Sequence, residues 1–337
     1  MTSVLAKNRV RFVALIFTVC TGLAGAAIST TPASAAAAKP SGTVNVAYAA
    51  SLTFLNEKVV SPAFTAADGY KFSGFGMASG AIESDIAAGE IRPNVFESVG
   101  GDNITPLENK FTHWYIQYAG TSIVLAYNPH SRYASKFKAY ADGKLGLAGL
   151  FKLLETPGLR LGRTDPNIDP QGRDFIEMLE LAQSYYHLPS NTVAKILGTT
   201  TFGTANSSEI FAESALDSVL QSGQLDAASA FVTQAIELHL DYIKLPTAIN
   251  LGSFADAALY HAASVKIVGG VVKHGSPQVI DITIIGNPTP AGIAFVRYTL
   301  SAAGVAQYRR GGFSILAPTI FGPVTAVPSQ ILSELGI

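Results

Sequence analysis

The chain has 337 residues, a formal charge of −1 and 14% charged side chains. Near-balance of 23 basic and 24 acidic residues argues against a nucleic-acid surface built on charge, and a single cysteine excludes an internal disulfide framework. With 48% hydrophobic residues, the chain can bury a large core without covalent staples.

Lys7, Arg9 and Arg11 precede an apolar run from Phe12 to Ile28, and Ala33, Ser34 and Ala35 then give a small-x-small cleavage pattern. Residues 1–35 read as a signal peptide, which places the protein in the periplasm or at the cell surface. Thr18, Thr21 and Gly22 interrupt the run, against a retained membrane anchor. Phe17, Thr18 and Val19 are poor neighbours for a lipidated Cys20, so cleavage after Ala35 is the better reading. Removing the three basic residues from 23 leaves 20 against 24 acidic ones, a charge of −4. Residues 36–42 read as a flexible leader.

Residues 43–49 alternate like a strand, and a helix follows with Leu52, Leu55, Val59 and Phe64 inward. A second strand over 71–76, a helix over 81–88 with Ile82 and Ile86 on one face, and a third strand over 95–99 complete a β-α-β-α-β order. That order predicts a parallel, doubly wound sheet, whose ligands sit at the carboxyl ends of the strands. Ser51 and Ser79 both fall there, each at a helix N-terminus. Residues 114–127 read as one long strand. Helices fit 144–154, 175–186 and 210–221, and short strands fit 159–162 and 227–231, which makes a second α/β unit. A strand over 279–285, helices over 292–303 and 305–310, and a surface-hugging tail with Pro318, Pro323 and Pro328 end the chain.

The stretch Gly162–Gly172 holds two Asp-Pro pairs just before the 175–186 helix. Proline fixes φ at 166 and 170 and keeps Asp165 and Asp169 out of the α region. Gly172 permits a close backbone approach. A stiff polar turn at a helix N-terminus presents free N–H groups and a partial positive charge, the physical basis of anion sites. An ordinary strand-to-helix connection explains the same residues.

Enzyme signatures are scarce. The six histidines have no zinc-motif spacing, and there is no Gly-x-Ser-x-Gly elbow, phosphate loop or dinucleotide fingerprint. Asp165 and Asp169 are the one candidate carboxylate pair. Glu177 and Glu180 read as the solvated face of their helix. Ser51 and Ser79 are individually ordinary N-caps, but with the Asp165–Gly172 turn they form a set of neutral donors suited to a desolvated anion.

The segments Ala49-Ala50-Ser51-Leu52-Thr53 and Ala78-Ser79-Gly80, the 114–127 strand, the Gly162–Gly172 turn and the Phe295–Gly312 helix occur in one order over the whole mature chain. Together they resemble the molybdate/tungstate-binding proteins of ABC importers, and most closely their archaeal-type tungstate binders. The resemblance implies a type II periplasmic-binding fold. Two doubly wound lobes, 43–120 with 286–337 and 121–285, would be joined by crossover strands near Gly120–Val124 and Asp281–Ile285. Ser51 and Ser79 would bond the oxyanion from the first lobe. Asp169 would ligate its metal atom, and the helix starting near Ser208–Ala212 would offer backbone donors at Ala212. The subfamily's Glu and Tyr ligands fall on Ala230 and Phe231, with Ser229 and Thr233 nearby as replacements. The implied protein is a monomeric receptor with no cofactor and no catalysis, whose closed form docks on a membrane permease. Sulfate, phosphate or a small organic acid is the alternative ligand, and a secreted hydrolase using Asp165 and Asp169 the alternative class.

Overall fold

The computed structural model describes residues 41–198 and 209–337. The signal-peptide segment with Cys20, most of the leader, and Ser208 lie outside those residues. Strand β1 (Thr43–Ala49) is buried without a break from Val46 onward, as a strand covered on both faces must be. It pairs in parallel with β2 (Lys71–Met77) and with β3 (Val95–Val99). Residues 50–68 are helical, with a wide π turn at Leu55–Val60, and α1 (Ser79–Ala88) links β2 to β3. This is the predicted β-α-β-α-β order.

The predicted strand over 114–127 is two strands. β4 (Tyr115–Gly120) lies in the first sheet and β5 (Ile123–Tyr127) in the second, so Thr121 and Ser122 carry the chain between them. In the second sheet the strand order is β6 (Leu161–Gly162), β7 (Ala227–Phe231), β5 and β8 (Tyr242–Lys244). β9 (Ser264–Lys266) and β10 (Val272–His274) form a separate hairpin. Among the helices of this lobe are α2 (Pro170–Tyr185), α3 (Glu213–Gln221) and α4 (Val232–Glu237).

The return crossing comes earlier than residues 281–285. β11 (Val279–Ile284) is antiparallel to β3 on one side and β4 on the other, so it belongs to the first sheet, and the first lobe resumes at 279 rather than 286. All six of its residues are buried, which fixes it in that sheet. The two crossings touch where Thr121 N–H donates to Gln278 O at 3.0 Å.

After β11 come α5 (Pro290–Leu300) and α6 (Ala302–Arg310), divided at Ser301, whose hydroxyl accepts from Gly304 N–H as an N-cap. The proline-containing tail then forms β12 (Ser314–Phe321), antiparallel to β4 at the sheet edge, with a register shift between Ile315 and Thr319. Pro318 lies inside that shift, and an irregular edge strand is where a missing N–H is tolerated.

The first lobe is locked by a buried acid. Glu97 on β3 accepts from Tyr118 of β4, from Tyr308 of α6 and, at 2.8 Å, from Asn56 Nδ2. Burial raises its pKa, and the three donors oppose the rise. In the second lobe α2 corrects the reading of Glu177. This side chain is 2% exposed, because α2 packs under the β9–β10 hairpin, where Glu180 Oε2 accepts from Ser264 N at 2.9 Å. Burial pushes Glu177 up to about 8.

Candidate ligand-binding cleft

β1 and β2 each end where a helix begins. Ala50–Leu52 make the first helical turn after β1, and Ser51 within it is 4% exposed, its Oγ forming no well-aligned hydrogen bond. Ser79 is the first residue of α1 and is fully buried, its Oγ accepting from Val99 N at 3.2 Å. Neither serine caps its helix through the side chain, because Ala49 and Ala78 hold the capping positions. Both hydroxyls therefore keep a proton to donate.

The second wall is the Gly162–Gly172 turn. Asp165 Oδ1 accepts from Asn167 N at 2.9 Å and from Asn167 Nδ2 at 2.8 Å. Asp169 Oδ1 accepts from Gln171 N at 2.9 Å and N-caps α2, with Pro170 at the first helical position. A Cβ on Gly172 would lie 2.4 Å from Thr164 O, so only glycine lets the helix start fold onto its own turn. Each aspartate thus serves the backbone of its own turn, which is not the disposition of a free acid–base pair.

Between the lobes lies a cavity of about 380 Å³. Ala50, Gly76, Met77 and Ala78 bound it on one side, and Asp165, Asp169, Ala212 and Glu213 on the other. An adjoining cavity of about 450 Å³ is bounded by Ser51, Glu57, Lys58, Glu213, Asp217, Gln234 and Glu237. The lobes meet directly beside the first cavity, where Gly80 N–H donates to Ile168 O at 3.0 Å. A Cβ at Gly80 would stand 2.7 Å from that oxygen.

A buried amide network backs the cleft. Gln171 Nε2 donates to Gln234 Oε1 at 2.9 Å and to Glu213 Oε1 at 3.3 Å, while Gln171 Oε1 accepts from Ser229 Oγ at 3.0 Å. Gln234 Nε2 in turn donates to Asp217 Oδ2 at 2.7 Å. Burial pushes Asp169 up to about 6, opposed by the Gln171 N–H and the Arg173 charge. Asp217 is likewise raised by burial to about 6, opposed by the Gln234 amide. Glu213 is raised well above the usual range, first by burial and then by the charges of Asp169 and Asp217, with Ser51 favouring its ionised form.

The five residues expected at the site are placed unequally. Asp169 and Ala212 border the smaller cavity, and Ser51 borders the larger. Ser79 lies behind the wall beside Ala78 and borders neither. Phe231 is 1% exposed within the hydrophobic core and pairs with Ile123, so its side chain is a packing element rather than a cleft residue. Ala230 is likewise buried against Val124. Of the proposed replacements, Ser229 is bound to Gln171, and the Thr233 and Thr121 hydroxyls lie 3.2 Å apart. Sequence reasoning missed Glu213, Gln171 and Gln234. Glu213 follows Ala212 directly and reads locally as a helix-favouring acid in a first turn. The two glutamines carry no spacing signal.

Two α/β lobes, joined by two crossings and meeting around a polar cleft with helix N-termini in its walls, define a solute-binding protein. The family model described as bacterial extracellular solute-binding protein matches residues 44–314, and the chain belongs to that family. It is 27% identical over 244 residues to an uncharacterized solute-binding protein of Petrotoga mobilis, covering 69% of this chain and 72% of that one. It is also 27% identical over 234 residues to the molybdate/tungstate-binding protein WtpA of Pyrococcus abyssi, covering 64% and 66%. The chain thus spans about two thirds of the length of these curated relatives. Among solved structures, the periplasmic molybdate-binding protein of Azotobacter vinelandii superposes with a TM-score of 0.56 at 17% identity, covering 81% of this chain and 99% of that one. That likeness concerns the fold. Among the described residues, no helix is long and apolar enough to cross a membrane.

Proposed function

We propose that this chain is the exported receptor of an ABC importer and captures a small oxyanion, molybdate or tungstate, between its lobes. The observation that carries this reading is the meeting, around one cleft, of the Ala50–Ser51 turn, the Asp169-capped turn and the N-terminus of α3. Helix N-termini and hydroxyls hold a desolvated anion without a balancing cation, because several dipoles converge on one point. The sequence relationship to the Pyrococcus molybdate/tungstate-binding protein supports the same ligand class.

The ligand enters between open lobes, is bonded from both sides and is released when a permease reopens the cleft. No bond of the ligand is broken. Ser51 would donate from the first lobe, Ser79 would support it from behind Ala78, and backbone N–H groups after Ala212 would donate from the second. Asp169, which borders the smaller cavity, is the carboxylate that would approach the ligand's metal atom. The lobe boundaries follow the sheets, with the hinge at Thr121–Ser122 and at the residues before Val279. The protein works as a monomer, with the permease as its partner.

Isothermal titration with tungstate, molybdate, sulfate, phosphate and acetate tests the reading. Tight binding of tungstate or molybdate is expected, with sulfate and phosphate weaker. Binding confined to sulfate, phosphate or a carboxylate would reassign the ligand, and no binding of any of them would overturn the oxyanion reading.

A further inference from the structure

The last turn of α4, in the second lobe, rests on Gly311 and Gly312 of the first lobe, just past α6. A Cβ on Gly311 would stand 2.7 Å from Glu237 Oε1, and one on Gly312 would stand 2.6 Å from Ile236 Cδ1. Gly312 also holds φ at 85°, which favours glycine. Leu55 Cδ1 and Phe313 Cδ2, both from the first lobe, lie 3.4 Å from the same point beside Gly311. The wall that meets the Glu237 carboxylate is therefore backbone and hydrocarbon. Glu237 is 8% exposed, and both its carboxylate oxygens are buried without a hydrogen-bond partner.

A buried carboxyl with no partner forfeits its hydrogen bonds to water, and an ionised one forfeits far more. Here part of the cover comes from the opposite lobe, so separating the lobes returns the oxygens to water. We propose that Glu237 is a proton-gated spring against lobe closure. Protonated, it lets α4 settle on the Gly311–Gly312 seat, and ionised, it drives the lobes apart. The spring needs only lobes that separate at the two crossings, while its effect on capture rests on the oxyanion reading above.

Burial alone pushes Glu237 up to about 8, as expected of a carboxyl with no donor to favour its ionised form. The titratable groups facing it are Glu57 and Lys58 from the helical segment after β1, Glu213 and Asp217 from α3, and Tyr308 from α6. Lys58 is the one lysine or arginine bordering the 450 Å³ cavity, and it is exposed. The Tyr308 phenol donates to Glu97. The sign is definite. Opening returns Glu237 toward the ordinary carboxylate range of about 4, so closure takes up a proton. The closed form is favoured at low pH and loses that advantage as pH rises toward 8.

Small-angle scattering of the ligand-free protein from about pH 5 to about pH 8 tests this without any ligand. Wild type should be compact at the acid end and expand toward the alkaline end. Glu237→Gln cannot ionise and should stay compact throughout. A wild-type radius of gyration that does not change with pH would overturn the inference, and so would an equal expansion of Glu237→Gln. The wild-type series needs no substitution, and Glu237→Met, apolar and of similar length, repeats the comparison if the glutamine variant folds poorly. Isothermal titration with tungstate adds the ligand. Glu237→Gln should bind roughly tenfold or more tightly than wild type near pH 8, with the gain shrinking toward pH 5. Equal affinities near pH 8 would also overturn the inference. If tungstate binds neither protein, the oxyanion reading fails, and the scattering comparison alone decides the spring.

Discussion

Asp102, just after β3 of the first lobe, places its Oδ2 2.7 Å from Lys273 Nζ on the hairpin of the second lobe and 3.8 Å from Arg173 Nη2 on α2. One carboxylate thus ties two cations across the interlobe boundary. Asp102 is 46% exposed, so each pair is screened and its contribution is small. Asp102→Asn should weaken ligand capture by no more than about fivefold at low salt. The difference from wild type should vanish in titrations near 1 M salt, where the Debye length falls to about 3 Å.

Gly80 sets how closely the lobes approach. Gly80→Ala would drive a Cβ against Ile168 O at 2.7 Å, and that oxygen is backbone with no freedom to turn away. The variant should lose at least about tenfold in ligand affinity, the equivalent of roughly 1.4 kcal/mol, while the thermal midpoint of the ligand-free protein stays close to wild type. A lowered midpoint with unchanged affinity would show that the glycine serves folding rather than closure.

Tyr308 binds α6 to the first sheet through Glu97. Tyr308→Phe keeps the ring and removes the donor, leaving a buried carboxylate with one bond fewer. Urea unfolding should show a loss of about 1–3 kcal/mol. Glu97→Gln should cost a comparable amount, because two phenol donors would share a weaker acceptor.

Several buried acids have raised pKa values, and the sign of their linkage is definite. Burial, then the Asp102 charge, pushes Asp281 up to about 8, and burial pushes Glu237 up to about 8. The folded state holds these protons more tightly than the unfolded chain, so the contribution to stability is complete below about pH 4 and is lost as pH rises toward 8. The thermal midpoint of the ligand-free protein should therefore fall between pH 5 and pH 8. Asp281→Asn removes one titrating group and should flatten that decline. A midpoint rising across the interval would contradict this assignment.

Much of the first lobe was legible in the sequence. The β1–β3 order, the serines at strand ends and the turn before α2 depend on local signals, namely alternation, helical spacing, proline and glycine. The proline tail was misread because Pro318 argues against a central strand, and only pairing with β4 reveals an irregular edge strand. Glu177 was misread because its polarity suggests a solvated face, whereas the hairpin covering α2 comes from about ninety residues later in the chain.

By itself, the sequence determined the α/β class, the stiff polar turn over Asp165–Gly172 and the two Ser-bearing helix starts, because each is a contest between neighbouring residues. Tertiary structure alone decided where the long apolar run divides between two sheets, that Phe231 packs inward, and that Glu213 is buried beside Gln171 at the edge of the cleft. The physical reason is common to all three. A side chain's role in a cleft depends on which distant segment desolvates it, and that segment is chosen by the packing of whole lobes.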